Sequence, residues 1–174
     1  MDASREEVIS GYKRACSTLA RKLAQASDEE LRRRSTGTRW TNEELLFHMV
    51  FGYMIVLALL PLVRTFGHLP PPLGKGFARL LNSCTRPFDV VNYWGSRAAS
   101  RVFDRNRMLR KLERVAAALA RHLQGEPEWS LALTMAFPTR WDPFFTQSMT
   151  LADVYAYPTL HFDFHAKQLS LPVH

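Results

Sequence analysis

The sequence lacks the features that mark several common functional classes. Its two cysteines, Cys16 and Cys84, form neither a CxxC pair nor a zinc-finger spacing. The segment Gly74-Lys75-Gly76 is not a phosphate-binding loop, because it lacks the GxxxxGK[ST] frame and a preceding strand. Strand alternation, internal repeats and low-complexity segments are absent as well. These absences direct attention to helices and to residues other than cysteine.

We also expect no secretory signal, since residues Met1–Glu7 are acidic and polar. With so little cysteine, we expect a cytoplasmic protein. One stretch, Leu45–Val63, is nearly all apolar except for His48 and approaches the ~20 residues of a membrane-spanning helix. Gly52 and Pro61 interrupt this stretch and a soluble-type helix cap precedes it. We therefore predict a buried bundle helix and no stable membrane span.

Composition and charge set the size and class of the protein. The chain has 174 residues, of which 47% are hydrophobic and 22% charged, so we expect one globular domain over residues 1–174. The net charge of +7 comes from 23 Lys and Arg against 16 Asp and Glu. This charge suits nucleic acid, anionic lipid or anionic small molecules alike. Because no aromatic-interleaved basic motif accompanies it, we do not expect a nucleic-acid partner.

Two helices are predicted in the first half. Residues 4–26 carry apolar side chains at the three-and-four spacing of an amphipathic helix. A polar, arginine-rich link follows over Ser27–Arg39. Thr41 and Glu44 then form a capping-box pattern, which predicts that the second helix starts at Thr41 and runs to about Phe66.

Two further helices are predicted in the second half. The segment Gly67–Asn92 is expected to be an irregular crossover with a short helix around Phe77–Ser83, because prolines and glycines punctuate it. The third helix is predicted over about Tyr93–Gln124. A second irregular link, Glu126–Ser148, is rich in aromatic residues and is expected to pack over the bundle. The fourth helix is predicted from Thr150 to about Leu169.

Prolines shape the expected end of the chain. Pro158 lies inside the fourth predicted helix, and we expect a kink just before His161 because proline lacks an N–H and crowds the carbonyl of Val154. Pro172 is expected to stop this helix.

Two histidines four residues apart, His161 and His165, are the main functional signal. Residues at this spacing share one helix face, with Cβ atoms about 5–6 Å apart, so that two imidazoles can hold one metal ion. Such a pair is more often two buried, hydrogen-bonded side chains, and this interpretation stays open. The candidate third ligand is His48, because a buried imidazole needs partners for both ring nitrogens and a metal supplies one.

The depths of these histidines constrain the fold. His48 lies about 10 Å from the start of the second helix, and the other two lie about 10 Å from the end of the fourth. The depths match if these two helices run antiparallel. We therefore predict an all-α fold, a four-helix bundle with up-down-down-up topology and a long crossover between helices 2 and 3.

These residues resemble the DinB/YfiT superfamily over nearly the whole chain. The shared features are Trp40-Thr41 before Glu44, His48, the segment Met149–Asp153 after an aromatic link, and His161 and His165 followed by Gln168-Leu169. The resemblance implies an up-down-down-up bundle, often a homodimer, with a three-His divalent metal site. It also implies relatives that act as S-transferases or isomerases with mycothiol or bacillithiol. By this resemblance His48, His161 and His165 match the three metal ligands.

Three neutral imidazoles would leave a position open on Zn or Ni, as in a catalytic metal site. The first hypothesis is thus a metal-dependent thiol S-transferase or hydrolase that activates a thiol or water against a small-molecule substrate. The alternative is a non-catalytic bundle that binds a small apolar ligand, or a membrane surface through the apolar second helix.

Several further residues are candidates for the surroundings of the metal or the substrate. Glu44 either orients a ligand or, as we favour, only caps its helix. Gln168 either lines the site or faces solvent. Tyr93, Arg97 and Arg101 are expected near the mouth, where the arginines either hold the carboxylates of an anionic thiol or form a solvated helix face. Asp163 is expected to be solvated, because it points away from His161 around the helix.

Overall fold

The computed structural model describes residues 4–171, which form eight helices and two short strands. The predicted stop at Pro172 lies outside the described residues. The elements in chain order are α1 Arg5–Gln25, α2 Asp28–Arg32, α3 Asn42–Gly67, α4 Pro71–Ser83, α5 Thr85–Ser100, α6 Arg105–Gly125, α7 Glu128–Leu131, β1 Thr134–Ala136, β2 Ser148–Thr150 and α8 Leu151–Ala166.

Four long helices, α1, α3, α6 and α8, enclose the hydrophobic core, and the predicted all-α fold is confirmed. Each packs against two others, α1 against α6 and α8, and α3 against the same pair. The interior is made of aliphatic and aromatic side chains from all four helices. The largest fully buried aromatic residues are Tyr12, Tyr53, Tyr155 and Phe162.

Contacts along α8 fix the directions of its two neighbours. Near the start of α3, His48 lies beside His161, and near its end Arg64 contacts Tyr155, so α3 and α8 run antiparallel. Tyr12 of α1 donates to the carbonyl of Tyr155, and Arg14 pairs with Asp163 at 2.5 Å. The two contacts follow the same order along both helices, so α1 and α8 run parallel. Asp163, expected to be solvated, is half exposed and holds this ion pair.

The direction of α6 follows from its two ends. Arg5 donates to the carbonyl of Leu123, and Arg105 donates to the carbonyl of Leu23 at 2.9 Å, so α1 and α6 run antiparallel. Taken from α1, the four long helices therefore point up, down, down and up. This order places the start of α3 and the end of α8 at the same end of the bundle.

The crossover is more helical than expected. Instead of one short helix at Phe77–Ser83, α4 and α5 occupy most of it, so the predicted irregular segment Gly67–Asn92 is wrong. Pro71 and Pro72 lie in the first turn of α4, where the missing N–H has no intrahelical partner to lose. Pro87 lies likewise in the first turn of α5. These prolines begin helices and do not break them.

The predicted third helix is not continuous. It ends at Ser100 and restarts at Arg105, where Asp104 caps α6 by accepting from the backbone N–H of Arg107 at 2.8 Å. A Ser, Thr, Asp or Asn side chain favours a helix start, and here it overrides the continuing apolar period. The result is that α5 turns away from the axis of α6 and lies against α3.

The capping boxes of α3 and α8 are present. Thr41 accepts from the N–H of Glu44 at 3.3 Å, and the N–H of Thr41 donates to the Glu44 carboxylate at 3.0 Å. Thr150 and Asp153 form the same arrangement at the start of α8. α8 continues through Pro158 to Ala166, three residues short of the predicted end.

The aromatic link between α6 and α8 packs against the bundle and contains a small sheet that the sequence did not reveal. β1 and β2 pair antiparallel, with Met135 opposite Met149 and both side chains buried. Strands of three residues are too short to show alternation.

By length and composition alone, α3 could cross a membrane. However, 56% of its most apolar 18-residue stretch is buried inside the protein. Its neighbours α5, α6 and α8 account for this burial. A core helix of the bundle therefore explains the apolar stretch.

Candidate metal centre

Three imidazoles meet where the start of α3 passes the end of α8. One ring nitrogen from each of His48, His161 and His165 lies within 4.8 Å of the others. The Nε2 atoms of His48 and His161 are 3.2 Å apart. His48 and His161 are buried, with exposures of 6% and 3%, and His165 is partly buried. The structure thus brings the three sequence-predicted histidines together, whereas metal binding by them stays a prediction.

A glycine makes this approach of α3 and α8 possible. A Cβ atom at Gly52 would lie 2.7 Å from Nδ1 of His161, closer than real Cβ contacts. Gly52 is one turn after His48 on α3, so the same face supplies a histidine and the space for the facing ring. In the sequence this glycine only marked a break in an apolar stretch. Its packing role needs the position of α8.

Burial keeps the three imidazoles neutral. Burial, reinforced by His165, lowers the pKa of His48 to about 3. Burial also lowers the pKa of His161, with smaller contributions from His48 and His165. The pKa of His165 is lowered by burial and partly restored by its hydrogen bond to Gln168. At neutral pH each ring therefore has a nitrogen lone pair available.

Hydrogen bonds at Nδ1 orient two of the rings. His165 donates from Nδ1 to Oε1 of Gln168 at 2.6 Å, which leaves its Nε2 as the acceptor nitrogen. Nδ1 of His48 faces the hydroxyl of Ser96 on α5 at 3.4 Å. Gln168 therefore contacts one of the three rings and is only partly exposed, whereas its role in a metal or substrate site stays a prediction. Within the described residues, Nδ1 of His161 is buried without a hydrogen-bond partner.

A carboxylate that sequence reasoning missed lies at the edge of the cluster. Oδ2 of Asp142 is 3.8 Å from Nε2 of His161 and accepts from the hydroxyl of Tyr157 at 2.8 Å. The backbone N–H of Phe144 donates to its other oxygen. Burial raises the pKa of Asp142, and these hydrogen bonds oppose the rise. Asp142 follows Trp141 in the aromatic link, and a lone acid among large apolar residues was the available signal.

Two of the other charged candidates, Glu44 and Arg97, contact each other. Glu44 caps α3, and its second carboxylate oxygen is 3.3 Å from Nε of Arg97. No hydrogen bond from Glu44 to an imidazole occurs among the described residues, which favours the capping interpretation. Arg97 also lies over the ring of Trp94, 5.2 Å from its centroid. Arg101 is exposed just after the end of α5.

Aromatic rings form one wall of the site. Trp40 stacks on His48 with ring centroids 4.4 Å apart and meets His165 edge-on at 6.4 Å. Tyr93 stacks on the same indole at 6.2 Å. A flat apolar wall beside the imidazoles suits an apolar portion of a small molecule.

The donor set fits a divalent metal such as Zn or Ni. Three neutral imidazole nitrogens are borderline ligands that both metals accept. Two of the rings are already oriented through Nδ1, as metal-ligating histidines usually are. The neighbouring Asp142 would balance part of the positive charge.

Comparisons with known proteins place this geometry in a family. Residues 12–169 match the model of the DinB superfamily. No curated protein matches the chain. Among solved structures, the chain resembles a mycothiol-dependent maleylpyruvate isomerase with a TM-score of 0.64 and 14% sequence identity. The match covers 98% of this chain and 62% of the isomerase chain, so this chain spans less than two thirds of that protein.

Proposed function

The chain belongs to the DinB superfamily, and from this premise we propose that it is a metal-dependent enzyme of the thiol S-transferase or hydrolase type. His48, His161 and His165 would hold one Zn or Ni ion. The observation that supports this proposal is the cluster of three largely buried, neutral imidazoles with ring nitrogens within 4.8 Å. Neutral histidines so close together gain more from a shared ligand than from one another.

A metal held there would act as a Lewis acid that lowers the pKa of a thiol or a water molecule and yields a nucleophile near pH 7. The chain's own residues would perform the remaining tasks. Gln168 and Ser96 fix the rings of His165 and His48. Asp142, itself held by Tyr157, would accept a hydrogen bond from the incoming thiol or water and orient its lone pair.

The substrate class is proposed from the walls of the site. Trp40 and Tyr93 would contact an apolar portion of a small electrophile. Arg97 and Arg101 would hold carboxylates of a low-molecular-weight thiol cosubstrate, since guanidinium groups bind carboxylates through paired hydrogen bonds. The isomerase with the similar fold is named as mycothiol-dependent, which supports a thiol of this kind. Because the cytoplasm keeps thiols reduced, we propose that location for the enzyme.

Metal content tests the central claim. Protein purified without an immobilised-metal step should contain about one divalent metal per chain, and His48→Ala should lose it. His122→Ala is the matched control, because His122 is exposed on α6. Full metal retention in His48→Ala would remove the three-His hypothesis. A metal-free wild type of unimpaired stability would favour the non-catalytic bundle that binds a small apolar ligand.

Activity tests the reaction class separately. Thiol consumption should be measured with a panel of small electrophiles, for the metal-loaded wild type and for Asp142→Asn. The variant keeps the size of the side chain but weakens the acceptor, so we expect retained metal and slower turnover. Equal turnover would remove Asp142 from the proposed machinery.

A further inference from the structure

Exposed apolar side chains are concentrated on α4 and α5. Eleven large hydrophobic residues are exposed among the described residues, and six of them fall within residues 71–102. The six are Leu73, Leu80, Val90, Val91, Trp94 and Val102. This segment is less than a fifth of the chain, so a random scatter of surface hydrophobic residues does not explain the pattern.

On α5 these residues form a helical stripe. Val91, Trp94 and Ala98 recur at spacings of three and four and are all exposed, and exposed Val102 follows just after the end of the helix. The opposite face carries Ser96, which is buried beside His48. α5 is therefore amphipathic in the reverse of the usual sense. Its small polar residues face the protein interior, and its apolar stripe faces outward.

The same segment is strongly basic. Residues 71–102 contain five basic residues against one acidic residue, a net charge of +4 out of the chain's +7. The five are Lys75, Arg79, Arg86, Arg97 and Arg101, and the acidic residue is Asp89. Arg97 is partly neutralised by Glu44, while Lys75, Arg79 and Arg86 are exposed. Exposed leucine, valine and tryptophan thus alternate with exposed positive charge.

We propose that the outer surface of α4 and α5 docks on an anionic lipid membrane. Helices that lie in the membrane interface combine an apolar face containing tryptophan or leucine with flanking Lys and Arg. Each basic residue near an anionic surface contributes attraction, and the apolar stripe inserts below the headgroups. A second copy of this chain is the weaker occupant, because a symmetric contact would bring two surfaces of the same positive charge together.

This docking mode differs from insertion of the long apolar helix, since α3 lies in the bundle core. Docking through the outer surface would leave the inner face of α5, which carries Ser96 and Tyr93, on the side away from the membrane. The proposal does not depend on the metal or on the proposed enzymatic activity. Failure of either idea therefore leaves the other testable.

Vesicle binding of the intact chain tests the proposal. The probes are vesicles of phosphatidylcholine mixed with phosphatidylglycerol, compared with vesicles of phosphatidylcholine alone. We expect co-sedimentation with the anionic vesicles only, and weaker binding at high salt because screening reduces the attraction. Absence of binding to the anionic vesicles would overturn the proposal.

Two variants separate the contributions of charge and apolar surface. Arg79→Glu with Arg86→Glu should weaken binding about tenfold or more, given ~1 kcal/mol for each basic residue near the surface. Arg110→Glu with Arg114→Glu makes the same change in net charge on exposed positions of α6 and should have a smaller effect. Binding that falls equally in both double variants would reduce the surface to a general charge effect and overturn the proposal.

Leu73→Gln with Val91→Gln removes two apolar side chains that are 55% and 69% exposed. Its control is Trp129→Gln, since Trp129 is 64% exposed but lies on α7. We expect the first variant to lose vesicle binding and the control to keep it, with unchanged unfolding midpoints. A concentration-dependent dimer that Val91→Gln dissociates, without vesicle binding, would assign the surface to a second copy instead.

Discussion

The two ends of the bundle bury polar side chains in opposite ways. About 24 Å along α3 from His48 lies Arg64, at 1.5 Å per residue. There Glu126, whose side chain is only 7% exposed, accepts hydrogen bonds from Arg64, Tyr155 and Ser130. At the other end, the Nε2 atoms of His48 and His161 contact each other at 3.2 Å, and Nδ1 of His161 lacks a partner among the described residues.

The difference separates a structural cluster from a candidate functional one. Every oxygen of Glu126 has a donor, so the cluster joins α3, α8 and the end of α6 with no group left for a ligand. The three imidazoles have fewer partners: the Nε2 atoms of His48 and His161 contact each other, and Nδ1 of His161 has no hydrogen-bond partner among the described residues, so a further ligand would supply what the protein does not. Saturation of buried polar groups therefore predicts the role of each end.

The largest effect should come from breaking the Glu126 cluster, in which both carboxylate oxygens have donors. Glu126→Ala leaves the guanidinium of Arg64 without its anion, and we expect the free energy of unfolding to fall by about 2–4 kcal/mol. This is below the 3–5 kcal/mol of fully buried pairs, because the Arg64 side chain is 34% exposed. Chemical denaturation measures the loss. Metal content should stay unchanged, and a variant that loses metal at unchanged stability would reverse the roles of the two ends.

At the other end of the bundle, a single added methyl group should disrupt the cluster of three histidines. Gly52→Ala places a Cβ within 2.7 Å of Nδ1 of His161 and must displace that ring. We expect metal affinity to fall about a hundredfold, as when groups that orient metal ligands are lost. Competition with a chromophoric chelator measures the change.

The matched control for this variant is Gly95→Ala, since a Cβ at Gly95 on α5 meets nothing within 4 Å. It should keep its metal and gain about 0.5–1 kcal/mol of stability, because alanine favours a helix over glycine. Equal metal affinity in the two variants would mean that His161 can move without consequence.

The two ends should also respond to acid in different pH windows. The folded-state pKa of His48 is about 3 against 6.5 in the unfolded chain, so the unfolded state binds more protons below pH 6.5 and stability falls as pH falls. We expect metal-free protein to lose about 2 kcal/mol between pH 7 and pH 5 from this group. The pKa of Glu126 is lowered by its donors against the effect of burial, so its contribution is lost only as pH falls below about 4.5.

Denaturation of chelator-treated protein at pH 7, 6, 5 and 4 measures both windows. Added metal should shift the first loss to lower pH, because metal and protons compete for the same nitrogens. Stability that is flat from pH 7 to pH 5 in the metal-free protein would contradict neutral, buried imidazoles.

Local signals in the sequence predicted most of the fold and part of the candidate site. The capping boxes of Thr41 and Thr150 act over three residues, so the starts of α3 and α8 could be predicted. The depth of His48 along its helix then sufficed to expect it beside His161. The break at Asp104 was missed because the apolar period continues across it.

The missed site residues depend on tertiary contacts. Asp142 lies in a link without periodicity, and its position beside His161 results from the packing of that link over α8. Gly52 is a weak local signal whose meaning comes from the facing helix. The burial of Glu126 likewise depends on a tertiary contact, its ion pair with Arg64 far away along the chain.

The smallest predicted effect comes from changing only the start of α3, the helix that carries His48 into the histidine cluster. Thr41→Ala removes the side chain that accepts from the N–H of Glu44, and loss of such a cap destabilises a protein by about 0.5–2 kcal/mol. Metal affinity should fall as well, since fraying of this first turn releases His48 from its position two turns later. Ser4→Ala is the control, because Ser4 caps α1 with the same capping box but α1 carries none of the three histidines. Thermal unfolding and chelator competition on both variants should show comparable losses of stability, with weakened metal binding in Thr41→Ala alone. If both variants bind metal as the wild type does, the geometry of the centre is held by α8 and by the packing around Gly52 and does not need an ordered start of α3.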